Sequence, residues 1–129
     1  MGQFDYSVTT SKTVDEAVLA IEAKALEKGF RVLHIHDVKA TLAAKGFEIE
    51  PMKIVEVCSA KFASQVLAAD KKISLMLPCP ISVYEEGSLT CIAALKPSAI
   101  AGFYPDAGIE SVAADVERII LSIIDEIKT

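Results

Sequence analysis

The chain begins with a strict alternation of apolar and polar residues, which predicts a β-strand over residues 3–9. Beyond this strand the period changes, because apolar residues recur every three or four positions, as one face of an α-helix requires. Thr13 and Glu16 form a capping-box pattern at the start of this helix, and Gly29 follows its end as a stop signal. The residues on its apolar face are Val14, Ala17, Val18, Ile21 and Ala25.

The middle of the chain predicts five more strands and two short helices. Asp37 is expected to be the N-cap of a helix over residues 38–45 that Gly46 ends, and Ser59 the N-cap of a helix over residues 60–69. The predicted strands cover residues 30–36, 53–58, 72–77, 81–85 and 89–96, with a hairpin turn at residues 86–88 between the last two.

The longest helical pattern covers residues 109–128. Its apolar positions form one broad stripe, which must face a sheet. The stripe consists of Ile109, Val112, Ala113, Val116, Ile119, Ile120, Ile123, Ile124 and Ile127. Residues 97–108 connect this helix to the last strand and contain two prolines and two glycines. A connection of that length is either a lid or partner contact, or a crossover that returns the chain to the helical layer.

These elements predict a single two-layer α+β domain over residues 1–129. We expect a mostly antiparallel sheet of about six strands, with the two long helices packed on one face. Residues two apart on a strand share a face, so the more apolar set should lie under the helices. That set is Leu33, Ile35, Val55, Val57, Ile73, Leu75, Leu77, Ile81 and Val83. If no strand contains a bulge, the opposite face carries His34, His36, Glu56, Cys58, Ser74, Met76, Ser82 and Tyr84.

The composition limits the classes of partner. Hydrophobic residues make up 52% of the chain and the mean hydropathy is +0.40, which favours self-association, most simply as a homodimer. No apolar run approaches the ~20 residues needed to span a bilayer. A net charge of −5 and the lack of a basic stripe argue against nucleic-acid and anionic-membrane partners. Three cysteines without regular spacing fit reduced thiols in a cytoplasm.

Several chemically active side chains are expected on the sheet face opposite the helices. Imidazole and thiolate bind zinc or a similar divalent transition metal, and a carboxylate can complete the ligand set. His34, His36, Glu56 and Cys58 are therefore candidate metal ligands. No second Cys or His stands at the close spacing typical of structural zinc sites. The alternative, that the histidines form hydrogen bonds at a subunit interface, stays open.

The thiols support a second interpretation, a cysteine-dependent enzyme or sulfur carrier. Cys79 lies between two prolines at a rigid bend. Activation of Cys58 or Cys79 would require a cation or histidine close to the thiol. Glu56, a carboxylate between two valines, is a candidate for acid–base catalysis or for a buried pair with a histidine. Otherwise the cysteines are small buried hydrophobes, which is the expectation for Cys91 on an apolar strand face.

No Gly-rich phosphate loop, nucleophile elbow or serine-triad pattern is present in the sequence. Three functions therefore stay open. The first is a module that binds a small ligand or a metal through the His/Glu/Cys cluster. The second is a cysteine-dependent enzyme or sulfur carrier, and the third is a purely structural dimerisation domain.

Three segments of the chain resemble the family catalogued as domain of unknown function 302. They are His34-Ile35-His36-Asp37 through Gly46-Phe47, Ile54-Val55-Glu56-Val57-Cys58, and Leu77-Pro78-Cys79-Pro80-Ile81-Ser82-Val83-Tyr84-Glu85. The resemblance covers most of the chain and implies a dimeric α+β protein with a TBP-like antiparallel sheet flanked on one side by the long helices. The family positions carried over are His34, His36, Asp37, Glu56, Cys58, Pro78 and Cys79. Pro80 departs from the family pattern, and the resemblance implies no reaction.

Overall fold

Five strands form one antiparallel sheet in the computed structural model, which describes residues 4–129. The strands are β1 (Asp5–Thr10), β2 (Arg31–Asp37), β3 (Met52–Cys58), β4 (Cys79–Glu86) and β5 (Leu89–Leu95). Their order across the sheet is β1-β5-β4-β3-β2, and every neighbouring pair is antiparallel. The predicted first strand is confirmed apart from residues 3 and 4; residue 3 lies outside the described residues, and β1 begins at Asp5.

Five α-helices accompany the sheet, and their ends follow the capping signals only in part. The helices are α1 (Val14–Glu27), α2 (Val38–Ala43), α3 (Ala60–Ala69), α4 (Pro97–Phe103) and α5 (Glu110–Ile127). The capping box is present, because Glu16 N donates to Thr13 Oγ1 at 3.1 Å and Thr13 N donates to Glu16 Oε1 at 2.9 Å. Asp37 Oδ1 accepts from Ala40 N at 3.0 Å. Ser59 precedes α3 but its side chain makes no capping hydrogen bond.

The two long helices, α1 and α5, pack against each other and on one face of the sheet. Their apolar stripes meet the inward side chains of the strands, and the resulting core is fully buried. Its centre includes Ile21, Val55, Val57, Ile81, Val83, Ile92, Ile120, Ile123 and Ile124. Burial of each such side chain stabilises the fold by about 1.5–3 kcal/mol before the loss of chain entropy is counted. The two-layer α+β arrangement is therefore as predicted.

The opposite side of the sheet, called here the open face, carries no fully buried side chain. It is defined by alternate strand residues, all of which are half-buried or exposed. They are Ser7, Thr9, His34, His36, Ile54, Glu56, Ser82, Tyr84, Cys91 and Ala93. The open face is therefore a surface of mixed polar and apolar character.

One of the six predicted strands, over residues 72–77, is wrong. Lys71–Met76 forms a 3₁₀ helix, which Asp70 begins by accepting a hydrogen bond from Lys72 N at 2.9 Å. Residues three apart share a side of a 3₁₀ helix, so Ile73 and Met76 both point inward while Leu75 is 80% exposed. In so short a segment the alternation of apolar residues fits both geometries. The predicted sheet faces of residues 73–77 are wrong for the same reason.

A β-bulge in β2 changes the predicted position of Leu33. Val32 pairs with Val57 and His34 with Glu56, so Leu33 is the extra residue on the β2 side. Val32 and Ile35 consequently pack against the core, whereas Leu33 is 58% exposed. The prediction that Leu33 lies under the helices is wrong, and the bulge is the physical reason.

The connection over residues 97–108 is an ordered packing element rather than a long loop. It consists of α4 and a 3₁₀ turn at Pro105–Ala107, after which Gly108 adopts a φ of 68°. Ile100 and Ala101 of α4 are buried in a second cluster of apolar residues. That cluster also contains Val66, Ile73, Ile109 and Ala113. Within residues 4–129, no helix is long and apolar enough to cross a membrane.

Candidate functional site

Three of the predicted metal ligands come together on the open face. His34 is paired with Glu56 in the β2–β3 ladder, and His36 follows two residues later on the same strand. His36 Nε2 lies 3.1 Å from Glu56 Oε2. The two imidazole rings meet edge to face with their centroids 4.3 Å apart. Strand geometry thus produces a chain of contacts from His34 through His36 to Glu56.

Cys58 does not complete this group. It is the last residue of β3, paired with exposed Arg31, and it belongs to the lining of a pocket in which none of His34, His36 and Glu56 takes part. Within residues 4–129, no three side chains of the His, Cys, Asp or Glu type are grouped so that they could hold a metal ion. The four residues predicted as one ligand set are therefore divided between the open face and the pocket.

This pocket lies where the sheet, α3, α4 and α5 meet, and it is called here the apolar pocket. Its wall includes Phe30, Cys58, Phe62, Leu77, Cys79 and Val112. The empty space amounts to about 470 Å³ when the open solvent at its mouth is included. Apart from the two thiols, Ser59 is the one polar residue of its lining among the residues described.

The apolar pocket forms because two buried clusters meet without closing completely. The first cluster joins the sheet to α1 and α5, and the second joins α3, α4 and the start of α5. Leu77 and Val112 pack against both clusters. The rings of Phe30 and Phe62 lie 6.0 Å apart at their centroids and form part of the wall. The pocket is thus a gap between packed layers, and its lining residues come from two strands, three α-helices and one 3₁₀ helix.

The pocket environment keeps both thiols protonated. Burial raises the pKa of the Cys79 thiol to about 11, and the charge of Cys58 adds to this shift. Burial also raises the pKa of Cys58, although a hydrogen bond with the backbone of Ser59 opposes the increase. A nucleophilic cysteine needs the opposite shift, because the thiolate is the reactive form. The electrostatics therefore oppose a catalytic thiol at either position.

The third cysteine lies apart from the pocket. Cys91 is half-buried on the open face, opposite Tyr84 in the β4–β5 ladder, and its Sγ is 3.5 Å from Glu86 Oε1. Its neighbours Thr90 and Ile92 are the residues of β5 that point inward. The prediction that Cys91 lies on the apolar face is therefore wrong, because Cys91 points to the opposite side of the strand from Thr90 and Ile92.

Sequence reasoning missed most of the pocket wall. Phe62 and Val66, four residues apart on α3, were a detectable signal, because that spacing marks an apolar helix face. What covers this face depends on α4, which was not predicted as a helix. Strand parity placed Cys58 on the open face with Glu56, so its place in the lining of the same pocket as Cys79 was not predicted.

Comparison with known proteins gives a family and a similar structure. The family described as domain of unknown function DUF302 matches residues 6–127. The chain is also similar to a crystal structure described as an uncharacterized conserved protein DUF302 from Bacillus stearothermophilus. That protein is 32% identical, the alignment covers 96% of this chain and 98% of the other, and the TM-score is 0.90. A search of the curated proteins gives no match.

Proposed function

We propose that this chain, which belongs to the family described as domain of unknown function DUF302, is a domain that binds a small, mainly apolar molecule. The family description names no reaction, so the proposal rests on the geometry of the apolar pocket. The observation that carries the proposal is the apolar pocket between the sheet and α3, α4 and α5. Apolar concavities with few polar groups are the usual sites for small molecules in proteins.

The pocket lining limits the chemistry of the ligand. No charged residue belongs to the lining among the residues described, so an ionic ligand would lose its hydration without gaining a partner. The volume of about 470 Å³ includes open solvent, and only about 40 Å³ can hold the centre of a water-sized molecule, so the enclosed part is small. These features favour a neutral ligand that is small or flat and in contact with Phe30 and Phe62.

A fluorescence titration with the neutral apolar dye N-phenyl-1-naphthylamine tests this proposal. Ala63 lines the pocket, whereas Ala68 is exposed on the same helix, so Ala63→Phe and Ala68→Phe form a matched pair. We expect saturable dye binding by the wild type, weakened by ~10-fold or more in Ala63→Phe and unchanged in Ala68→Phe. Equal binding by both variants, or no saturable binding by the wild type, would contradict a ligand site in the apolar pocket.

A homodimer through the open face is the assembly that we propose for this domain. The supporting observation is that Ile54, Tyr84 and Ala93 are half-buried in the middle of a face on which no side chain is fully buried. Sedimentation equilibrium tests it: Ala93→Lys should shift the protein to monomer, whereas Ser64→Lys on α3 should not. A wild-type protein that sediments as a monomer at all concentrations would exclude this assembly.

The three cysteines support a reducing compartment such as the cytoplasm. All three are free thiols, and two of them line the same pocket. Disulfides persist in oxidising compartments and are rare in the cytosol. We therefore propose that the domain is cytoplasmic.

A further inference from the structure

We propose that His34 and His36 bind one divalent transition-metal ion on the open face, with zinc(II) or nickel(II) as the matching ions and Glu56 as a positioning residue. The site is separate from the apolar pocket and goes beyond the proposed function. Binding of the metal and binding of an apolar molecule can each fail while the other holds.

Strand β2 places both imidazoles on the same surface. His34 and His36 are two residues apart in the part of β2 that follows the bulge, and both side chains are exposed. An ion about 2.0–2.1 Å from a ring nitrogen lies roughly 3.2 Å from the ring centroid. Two rings that share one ion at a right angle therefore have centroids about 4.5 Å apart. The observed separation of 4.3 Å is close to that value, and the exposed rings have room to turn toward one ion.

Glu56 orients the ring of His36. Its Oε2 lies 3.1 Å from Nε2 of His36, and an anionic oxygen at that position favours the tautomer with the proton on Nε2. The lone pair of Nδ1 is then available to an ion. Metal-binding histidines commonly present their second ring nitrogen to a carboxylate, which fixes the tautomer and makes the ligand nitrogen more basic.

The charge around the two imidazoles favours a cation. Glu56 pairs with His34 on one side of the ladder and with Pro80 on the other. Among residues 4–129, no lysine or arginine forms an ion pair with Glu56. With neutral imidazoles the site therefore carries one negative charge, which a divalent ion offsets.

The donor atoms decide which metals the site can hold. Since no three His, Cys, Asp or Glu side chains of residues 4–129 form a metal-binding group, the protein ligands are the two imidazoles, and water fills the other positions. Imidazole nitrogen suits zinc and nickel, whereas magnesium and calcium prefer oxygen. Nickel(II) should also bind more tightly than manganese(II), as the general affinity order of divalent ions requires.

The test is isothermal titration calorimetry of the tag-free chain with zinc(II) and with nickel(II). His34 and His36 are the only histidines of the sequence, so no other imidazole competes. The wild type should bind about one ion of either metal per chain and no magnesium. His34→Gln and His36→Gln should each weaken binding by more than ~100-fold, since loss of a direct ligand should exceed the loss caused by removing a supporting partner.

The role of Glu56 has its own variant and readout. Glu56→Gln should weaken binding by ~10–100-fold, whereas Glu86→Gln, which changes an exposed carboxylate at the end of β4, should bind as the wild type does. Nitrogen-15 NMR of the metal-free protein should show the proton of His36 on Nε2 in the wild type and a mixture of tautomers in Glu56→Gln. Equal affinity and an unchanged tautomer in Glu56→Gln would contradict the positioning role.

X-ray absorption of the wild-type zinc complex identifies the ligands. It should show imidazole nitrogen and oxygen without sulfur. Sulfur ligation, retention of zinc(II) by His36→Gln, or no uptake of either metal by the wild type would overturn the proposal.

The same preparations separate this proposal from the proposed function. Zinc(II) uptake without saturable dye binding would remove the apolar ligand and keep the metal site. Dye binding that Ala63→Phe abolishes, in a protein that takes up neither zinc(II) nor nickel(II), would do the reverse.

Discussion

Cys79 shows how one residue links burial to pH dependence. Its side chain is 8% exposed, and burial raises the pKa of its thiol from 9.0 to about 11. A raised pKa means that the folded state holds the proton more tightly than the unfolded state does. The stabilisation that this thiol contributes is therefore complete below pH 9, and it is lost as the pH rises through 11.

This linkage gives a prediction for unfolding by urea. Between pH 8 and pH 11 the wild type should lose up to roughly 2–3 kcal/mol of unfolding free energy through Cys79, because one pKa unit corresponds to 1.36 kcal/mol. Lysines and tyrosines also titrate in this range, so the measured quantity is the difference between the wild type and Cys79→Ala. That difference should change with pH in this direction; a constant difference would show that the thiol is not buried as described.

The reactivity of Cys58 distinguishes a thiol enzyme from a binding site. Since burial raises the pKa of Cys58, its alkylation by iodoacetamide at pH 7.5 should be slower in the folded protein than in the chain unfolded by urea. Peptide mass spectrometry after timed quenching measures the two rates at this residue. A faster reaction in the folded protein would favour the cysteine-dependent enzyme or sulfur carrier.

The contact between His36 and Glu56 should contribute little to stability. Their side chains are 44% and 30% exposed, and pairs of this kind contribute about 0–1 kcal/mol. His36→Ala should therefore lower the unfolding free energy by less than ~1 kcal/mol, whereas Ile81→Ala in the core should lower it by about 2–5 kcal/mol. A loss well above ~1 kcal/mol in His36→Ala would contradict the description of this contact as a solvent-screened surface pair.

Residue types and strand period anticipated part of this chemistry. The contact of His36 with Glu56 followed from two neighbouring strands with the right parity. The presence of Cys58 and Cys79 in the lining of one pocket did not, because it depends on how α3 and α4 pack at the end of β3. Periodicity describes residues inside an element and says nothing about those at its boundary.

At the scale of elements, the helix ends show which of the predicted capping residues form a hydrogen bond with the helix. Thr13 makes its capping hydrogen bond and Ser59 does not, although both precede a helix. Thr13→Ala should therefore lower the unfolding free energy by about 0.5–2 kcal/mol, and Ser59→Ala should change it much less. Thermal and chemical unfolding of the two variants checks this. Equal losses would mean that the Ser59 hydroxyl also caps its helix in solution.

The elements that sequence patterns predicted correctly are those with long, regular periods. Both long helices and all five strands were recognised, since their apolar residues repeat over many positions, and one further predicted strand was wrong. The 3₁₀ helix at Lys71–Met76 and the helix α4 were not, because each is only one or two turns long. Such short segments take their shape from what packs on them, here the second apolar cluster.

At the scale of the whole molecule, the main core is fully buried, and a pocket is left where the second apolar cluster meets the sheet. The sheet, α1 and α5 share a core of fully buried side chains, whereas the second cluster meets the sheet with a gap. That gap is lined by residues of two strands, three α-helices and one 3₁₀ helix. Composition predicted surplus apolar surface, but its location required the packing of α3 and α4, which local patterns do not encode.

The sheet order has a consequence for aggregation. Its two edges are β1 and β2, and exposed strand edges are where chains add to one another and grow into fibres. The bulge at Leu33 interrupts the regular spacing of β2, so that edge is a poor template for another strand. Only β1 remains regular along its pairing with β5. A filament needs two compatible edges per subunit, whereas two copies joined through β1 use up their only regular edge and growth stops.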